Sequence, residues 1–172
     1  MFSTIAAASF RVYGSGVPDY IDQPNLIEFP NDYSNSYWTK NGATINGTLQ
    51  IAPDGTNTAR LVTVNSSSLG LFALISNDIL STNELYMSVW LRGDAATNII
   101  IGFNGQTQVE NNNGVVVQIT TVWTKYTFSF NVLSNDTGIY VAISSTKWNG
   151  SNNNNSLTQR SIYVWGASYK IT

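Results

Sequence analysis

The chain has 172 residues, 10 acidic and 8 basic side chains, and neither histidine nor cysteine. This excludes imidazole triads, thiol nucleophiles, zinc sites built from His or Cys, haem ligation and thiol redox switching. The length suits one domain with a core that needs no disulfides, and a net charge of −2 with 10% charged residues offers no basic face for nucleic acid or an anionic membrane.

Residues 1–24 read as an N-terminal extended arm ahead of a domain at 25–172. The opening Met1-Phe2-Ser3-Thr4-Ile5 has no basic region and only a weakly apolar stretch, so it does not read as a secretory signal. Phe2, Ile5, Phe10, Val12 and Tyr13 make the arm apolar enough to dock on its own domain, a symmetry mate or a larger surface. Gly14-Ser15-Gly16 lacks the spacing of a phosphate-binding loop or a nucleophile elbow and reads as a hinge.

Beyond Asn25, about a third of all residues being Asn, Ser or Thr, turn residues punctuate short runs rich in Val, Ile, Thr and aromatics. That spacing predicts an all-β sandwich or barrel. In chain order, strands are expected at Ala43–Ile45, Thr48–Ala52, Thr58–Val64 and Gly70–Ile75. From Glu84 to Arg92 alternation is regular: Leu85, Met87, Val89 and Leu91 face one way, and Tyr86, Ser88, Trp90 and Arg92 the other. Further strands fit Asn98–Phe103 and Val115–Ile119. From Lys125 to Val132 the pattern returns, with Tyr126, Phe128 and Phe130 inward. Ile139–Ser144 and Ser161–Trp165 complete the set. Asn41-Gly42, Asn46-Gly47, Pro53-Asp54-Gly55, Asn104-Gly105, Asn113-Gly114 and Asn149-Gly150 suit the positive φ of hairpin or loop tips. No stretch of ten residues carries a helical period, so helix should be minor.

Chemistry is scarce. Cleavage of a glycosidic bond needs only two carboxylates, but most acids here sit beside Asn or Gly in turns, where they cap backbone donors. Oxygen ligands for a structural calcium are plentiful, yet no stretch has the carboxylate spacing of a calcium loop. Several sequons match no better than an Asn-rich chain gives by chance. Aromatics remain, since sugar rings stack on Trp and Tyr while Asn, Asp, Gln and Arg meet their hydroxyls. Trp148, in a hydrophilic loop, is the candidate for an exposed ring. Trp90, with Tyr86 and Arg92, forms a candidate platform on the less apolar face of its strand. Trp123 and Trp165 lie beside regular strands and read as core plugs; Trp38, with Tyr37, fits either role.

Asn25-Leu-Ile, the run Tyr33 to Thr44, the run Ala52 to Ala59, Tyr86 to Gly93, Trp123 to Phe130 and Ile162 to Ala167 together resemble the carbohydrate-binding-module-like jelly-roll domains of bacteriophage structural proteins. The resemblance covers 25–172. It implies a two-sheet antiparallel jelly-roll β-sandwich in a non-enzymatic virion protein, expected as a capsid decoration or head-fibre subunit attached through its arm, with binding of a host-surface glycan as a further possibility. The alternatives are a tail-fibre or tail-tip receptor-binding subunit and a free carbohydrate-binding module. Expected partners are other virion proteins of capsid or tail and further copies of the chain, as in a trimer; the expected location is the virion. Such modules often hold a structural calcium between their first and last strands. Glu28 matches an early ligand position, whereas Ala167-Ser168-Tyr169 brings no carboxylate near the end. The resemblance fixes no sugar-binding residues.

Overall fold

The computed structural model describes residues 11–13, 24–66, 70–76, 84–105, 114–131, 139–144 and 158–171. Eleven strands run through them: β1 (Arg11–Tyr13), β2 (Thr39–Asn41), β3 (Ala43–Ile51), β4 (Asn57–Val64), β5 (Gly70–Ser76), β6 (Glu84–Arg92), β7 (Thr97–Gly105), β8 (Gly114–Ile119), β9 (Thr124–Asn131), β10 (Ile139–Ser144) and β11 (Arg160–Ile171). They pair antiparallel in two sheets, a larger one ordered β1-β9-β6-β11-β4-β3 and a smaller one ordered β2-β5-β10-β7-β8. No helix occurs among the described residues. The all-β, two-sheet sandwich expected from the sequence is the fold.

Period-two alternation builds the core, because successive side chains of a strand point to opposite faces. On β6 the apolar set Met87, Val89 and Leu91 is buried. Phe128 of β9, Val62 and Val64 of β4 and Ile162 and Val164 of β11 join it from the larger sheet. Leu71 and Ala73 of β5, Ile99 and Ile101 of β7, Val117 and Ile119 of β8 and Ile143 of β10 meet it from the smaller one.

The segment 24–38 has no strand of its own yet adds Ile27, Tyr33 and Trp38 to the core. Tyr33 and Trp38 pack with ring centroids 5.0 Å apart, and the Trp38 indole donates to the Phe29 carbonyl at 2.9 Å. Of the two roles open to Trp38, the structure selects the buried one.

Two expectations change. Asn46-Gly47 does not turn the chain; β3 runs through it, with its register irregular between Ile45 and Leu49. The Asn46 side chain accepts from the Thr48 backbone at 2.8 Å, folding the extra residue into a bulge rather than a hairpin tip. Residues 11–13, inside the stretch read as an arm, form a strand on the edge of the larger sheet, with Val12 opposite Phe128. Phe2, Ile5 and Phe10 lie outside the described residues. Acidic capping is as expected at Asp54, whose carboxylate accepts from the Thr56 backbone at 3.0 Å and hydroxyl at 2.7 Å, and at Asp32, which accepts from the Ser34 backbone at 3.2 Å.

Candidate functional site

The face of the larger sheet turned away from the core is where the polar half of each alternation collects. On β11 the inward residues are Ile162 and Val164 before Gly166 but Ala167 and Tyr169 after it. The phase changes because the β6–β11 register shifts between Trp165 and Ser168, where Gly166 takes φ of 63°, a left-handed geometry that favours glycine. The bulge thus puts Tyr163 and Trp165 on the outer face ahead of it and Ser168 and Lys170 on the same face after it. A Cβ at Gly166 would stand 3.3 Å from Trp90 Cδ1, so the ring packs directly on the bulge.

Cross-strand register then orders the face in rows. Lys125, Trp90 and Trp165 form one row across β9, β6 and β11. Two residues along β6, Arg92 stands opposite Tyr163. In the other direction lie Thr127, Ser88 and Ser168, and beyond them Tyr86 opposite Lys170. One half of the face is therefore aromatic and the other carries hydroxyls and an ammonium group.

The aromatic half is pinned. Arg92 lies over the Tyr163 ring at 4.4 Å and over the Trp123 ring at 5.4 Å, contacts that hold a cation by the ring quadrupole. Tyr163 donates towards Asp94 Oδ2 at 3.4 Å, and the Trp165 indole donates to Thr58 Oγ1 at 2.9 Å. Trp123 donates to the Ile51 carbonyl at 3.1 Å. β9 and β3 are four places apart in the sheet order, about 19 Å if the sheet were flat. A single indole cannot span that, so the sheet curls and its outer face is concave.

A cleft of about 510 Å³ opens in this concavity, lined among others by Trp90, Trp165, Lys125, Lys170, Ser168 and Asn31. The size is that of a small-molecule or oligosaccharide site. Its far wall comes from the segment 24–31, which runs beside the second half of β11 where β4 has ended. Asn25 makes that join: its Nδ2 donates to the Ala167 carbonyl at 3.0 Å, while its Oδ1 accepts from the Tyr169 and Ile27 backbones at 2.9 and 3.1 Å. Leu26 adds a backbone bond to Tyr169 at 2.9 Å, and Asn31 Oδ1 accepts from Gly166 at 2.8 Å. Tyr33, wholly buried beneath, accepts from the Ala167 backbone at 3.3 Å; burial pushes its hydroxyl far above the ordinary tyrosine range.

Of the residues singled out from sequence, Trp90, Tyr86 and Arg92 share this face, and Trp90 lines the cleft. Trp148 lies outside the described residues. Trp123 and Trp165, expected as core plugs, instead stand half-buried on the concave face; alternation with the buried Val164 turns Trp165 outward, and Trp123 lies just before β9. Lys125, Lys170, Tyr163 and the Asn25–Asn31 wall were not anticipated. Lys125 and Trp165 were readable as outward by alternation with Tyr126 and Val164, whereas the Asn25 contact spans 142 residues and has no local signal. Glu28 is exposed, and among the described residues no group of three or more Asp or Glu could hold a metal. Where the resemblance implied a calcium between the first and last strands, the join is made by the Asn25 amide.

No family model matches the sequence, and no curated protein matches it. Among solved structures, the xylan-binding CBM22-1 domain of Paenibacillus barcinonensis Xyn10C superposes over 87% of this chain and 95% of its own, with a TM-score of 0.59 at 10% identity. The chain has the jelly-roll fold of carbohydrate-binding modules. The TmCBM61 module in complex with β-1,4-galactotriose matches this jelly-roll over 85% of the chain and 97% of its own, with a TM-score of 0.51 at 10% identity. The enzymatically active domain of bacteriophage CBA120 tailspike protein 4 matches over 86% of the chain at 14% identity and a TM-score of 0.52. The jelly-roll spans about a fifth of that tailspike chain, 21%.

Proposed function

We propose that the protein is a non-enzymatic glycan-binding module that holds an oligosaccharide on the concave face of its larger sheet. The observation that carries this reading is the cleft itself: Trp90 and Trp165 stand side by side on neighbouring strands, with hydroxyl, amide and ammonium groups around them. Such rings take the apolar faces of sugars while the polar rim meets their hydroxyls. The described lining holds no carboxylate, and glycosidic hydrolysis by the common route needs two, so the cleft is built for retention rather than turnover. The likeness in fold to carbohydrate-binding modules supports the same reading.

A glycan array followed by titration calorimetry tests it. The wild-type chain should bind a defined set of oligosaccharides saturably without releasing cleavage products, and Trp90→Ala should weaken that binding at least tenfold, the loss of one or two stacking contacts. Unchanged binding in Trp90→Ala would sink the assignment of this face.

The tailspike likeness favours a second reading, in which the module serves on a phage virion as a decoration, fibre or tail subunit, assembled as a homo-oligomer and presenting the cleft to a host-surface glycan. Mass spectrometry of particles purified from cells expressing this chain should find it at stoichiometric copy number; its absence would remove the virion from the account and leave a free module.

A further inference from the structure

We infer that the cleft selects an acidic oligosaccharide, one carrying carboxylate or sulfate groups, over neutral chains. The inference rests on the glycan-binding reading and specifies the ligand of that same site. The whole chain is acidic overall, with a net charge of −2 and only 8 basic residues. Three of those eight, Arg92, Lys125 and Lys170, project from one face of one sheet, by the registers that place them opposite Tyr163, Trp90 and Tyr86. Two of the three line the cleft, and no Asp or Glu does so among the described residues. The charged side chains that line the cleft are therefore both basic, in a chain that is acidic overall.

Geometry makes the arrangement selective rather than merely positive. Lys125 sits in the same row as Trp90 and Trp165, while Lys170 stands on the far side of Ser88 and Ser168. A sugar ring stacked on the tryptophans thus has one ammonium group at its flank and another farther along the cleft, so that a chain of several sugar units can meet both. Arg92 lies over the Tyr163 and Trp123 rings at 4.4 and 5.4 Å, and its Nε–H is buried without a protein acceptor. The cleft wall reduces the solid angle of water around Lys125 and Lys170, which strengthens their pull on an anion relative to an exposed charge. A neutral oligosaccharide gains the stacking but none of this attraction.

The experiment is titration of the full chain with oligogalacturonate and a heparin-derived hexasaccharide against cellohexaose and xylohexaose, at 20 and 300 mM NaCl. At low salt at least one acidic probe should bind tenfold or more tightly than both neutral ones, and the gap should shrink several-fold at high salt as the charges are screened. Lys125→Gln combined with Lys170→Gln should lower the affinity for the acidic probes far more than for the neutral ones, erasing the acidic advantage. Ser168→Asp, which places a carboxylate in the cleft, should likewise weaken the acidic probes more than the neutral ones. Carboxyl-reduced and desulfated versions of the tighter probe identify the group that is read. Neutral probes binding as tightly as acidic ones, or an acidic advantage indifferent to both variants, would overturn the inference while leaving a glycan-binding module. Failure of every probe, acidic and neutral, would overturn the proposed function with it.

Discussion

Single residues decide where this surface is and how the fold answers to pH. Tyr33 keeps its proton in the folded chain because burial penalises the phenolate, the hydrogen bond from Ala167 opposing this only in part. Tyr37 and Tyr126 are raised by burial in the same direction, and less of each is enclosed. In the unfolded chain a tyrosine ionises near pH 10. Above that pH the unfolded state sheds protons that the folded state retains, so stability is intact below about pH 10 and falls as the pH rises beyond it. For a wholly buried Tyr33 the slope approaches about 1.4 kcal/mol per pH unit. Denaturant melts at pH 8, 10 and 11 should show this decline, and Tyr33→Phe should flatten it. The substitution is tolerable at neutral pH, because the Ala167 backbone N–H also donates to the Pro30 carbonyl at 3.1 Å. A melt as steep in Tyr33→Phe as in the wild type would assign the alkaline loss elsewhere.

Elements show how one amide can stand in for a strand. β4 pairs with β11 only as far as Val164, and beyond that the segment 24–31 takes its place through Asn25, which satisfies three backbone groups with one side chain. Asn25→Ala leaves those groups without their partner at the edge of the core. At roughly 1 kcal/mol per lost bond, it should cost about 2–3 kcal/mol and open the wall of the cleft, seen as a lower unfolding midpoint together with weaker glycan binding. A midpoint within a few tenths of wild type would mean that Leu26 and Asn31 hold the wall by themselves.

The same elements mark what could be read beforehand. β6 and β9 were legible almost residue for residue, since each keeps strict alternation with one face buried. β3 was read as two strands because Asn-Gly is a turn signal, and the chain used it for a bulge instead. β1 has three residues and no alternation to betray it; its pairing depends on β9, more than a hundred residues away. At the site, Trp90, Tyr86 and Arg92 were found because alternation assigns a face. Trp165 was misread because a large ring beside a regular strand suggests a core plug, although alternation with the buried Val164 turns it outward. The wall formed by Asn25 and Asn31 was hidden because long-range contacts leave no periodicity in the sequence.

At the scale of the whole molecule, curvature turns a sheet into a receptor. The core needs only that the two sheets pack, and a flat outer face would do as well for stability. The bend brings Trp123, on the flank of β9, within reach of the end of β3, over strands that carry the Arg92–Tyr163 stack and the Trp90–Trp165 pair. Among the described residues the cleft is lined by β6, β9 and β11 of that sheet and by Asn25, Pro30 and Asn31, so its shape is set by strand pairing and by the Asn25 join. Shape fixed in advance lowers the ordering cost of binding.

The position of β11 has a consequence for how the protein comes into being. It comes last in sequence among the described strands, yet it lies third from one edge of a six-stranded sheet, between β6 and β4. Until it emerges from the ribosome, the earlier strands of that sheet are two separate ribbons with no seam to join them. A nascent chain stalled before Arg160 would leave the two ribbons unjoined over the smaller sheet, whose strands all precede β11, and its maturation would wait on a single late insertion. Synthesis of the final dozen strand residues is thus the event that converts a set of hairpins into a receptor.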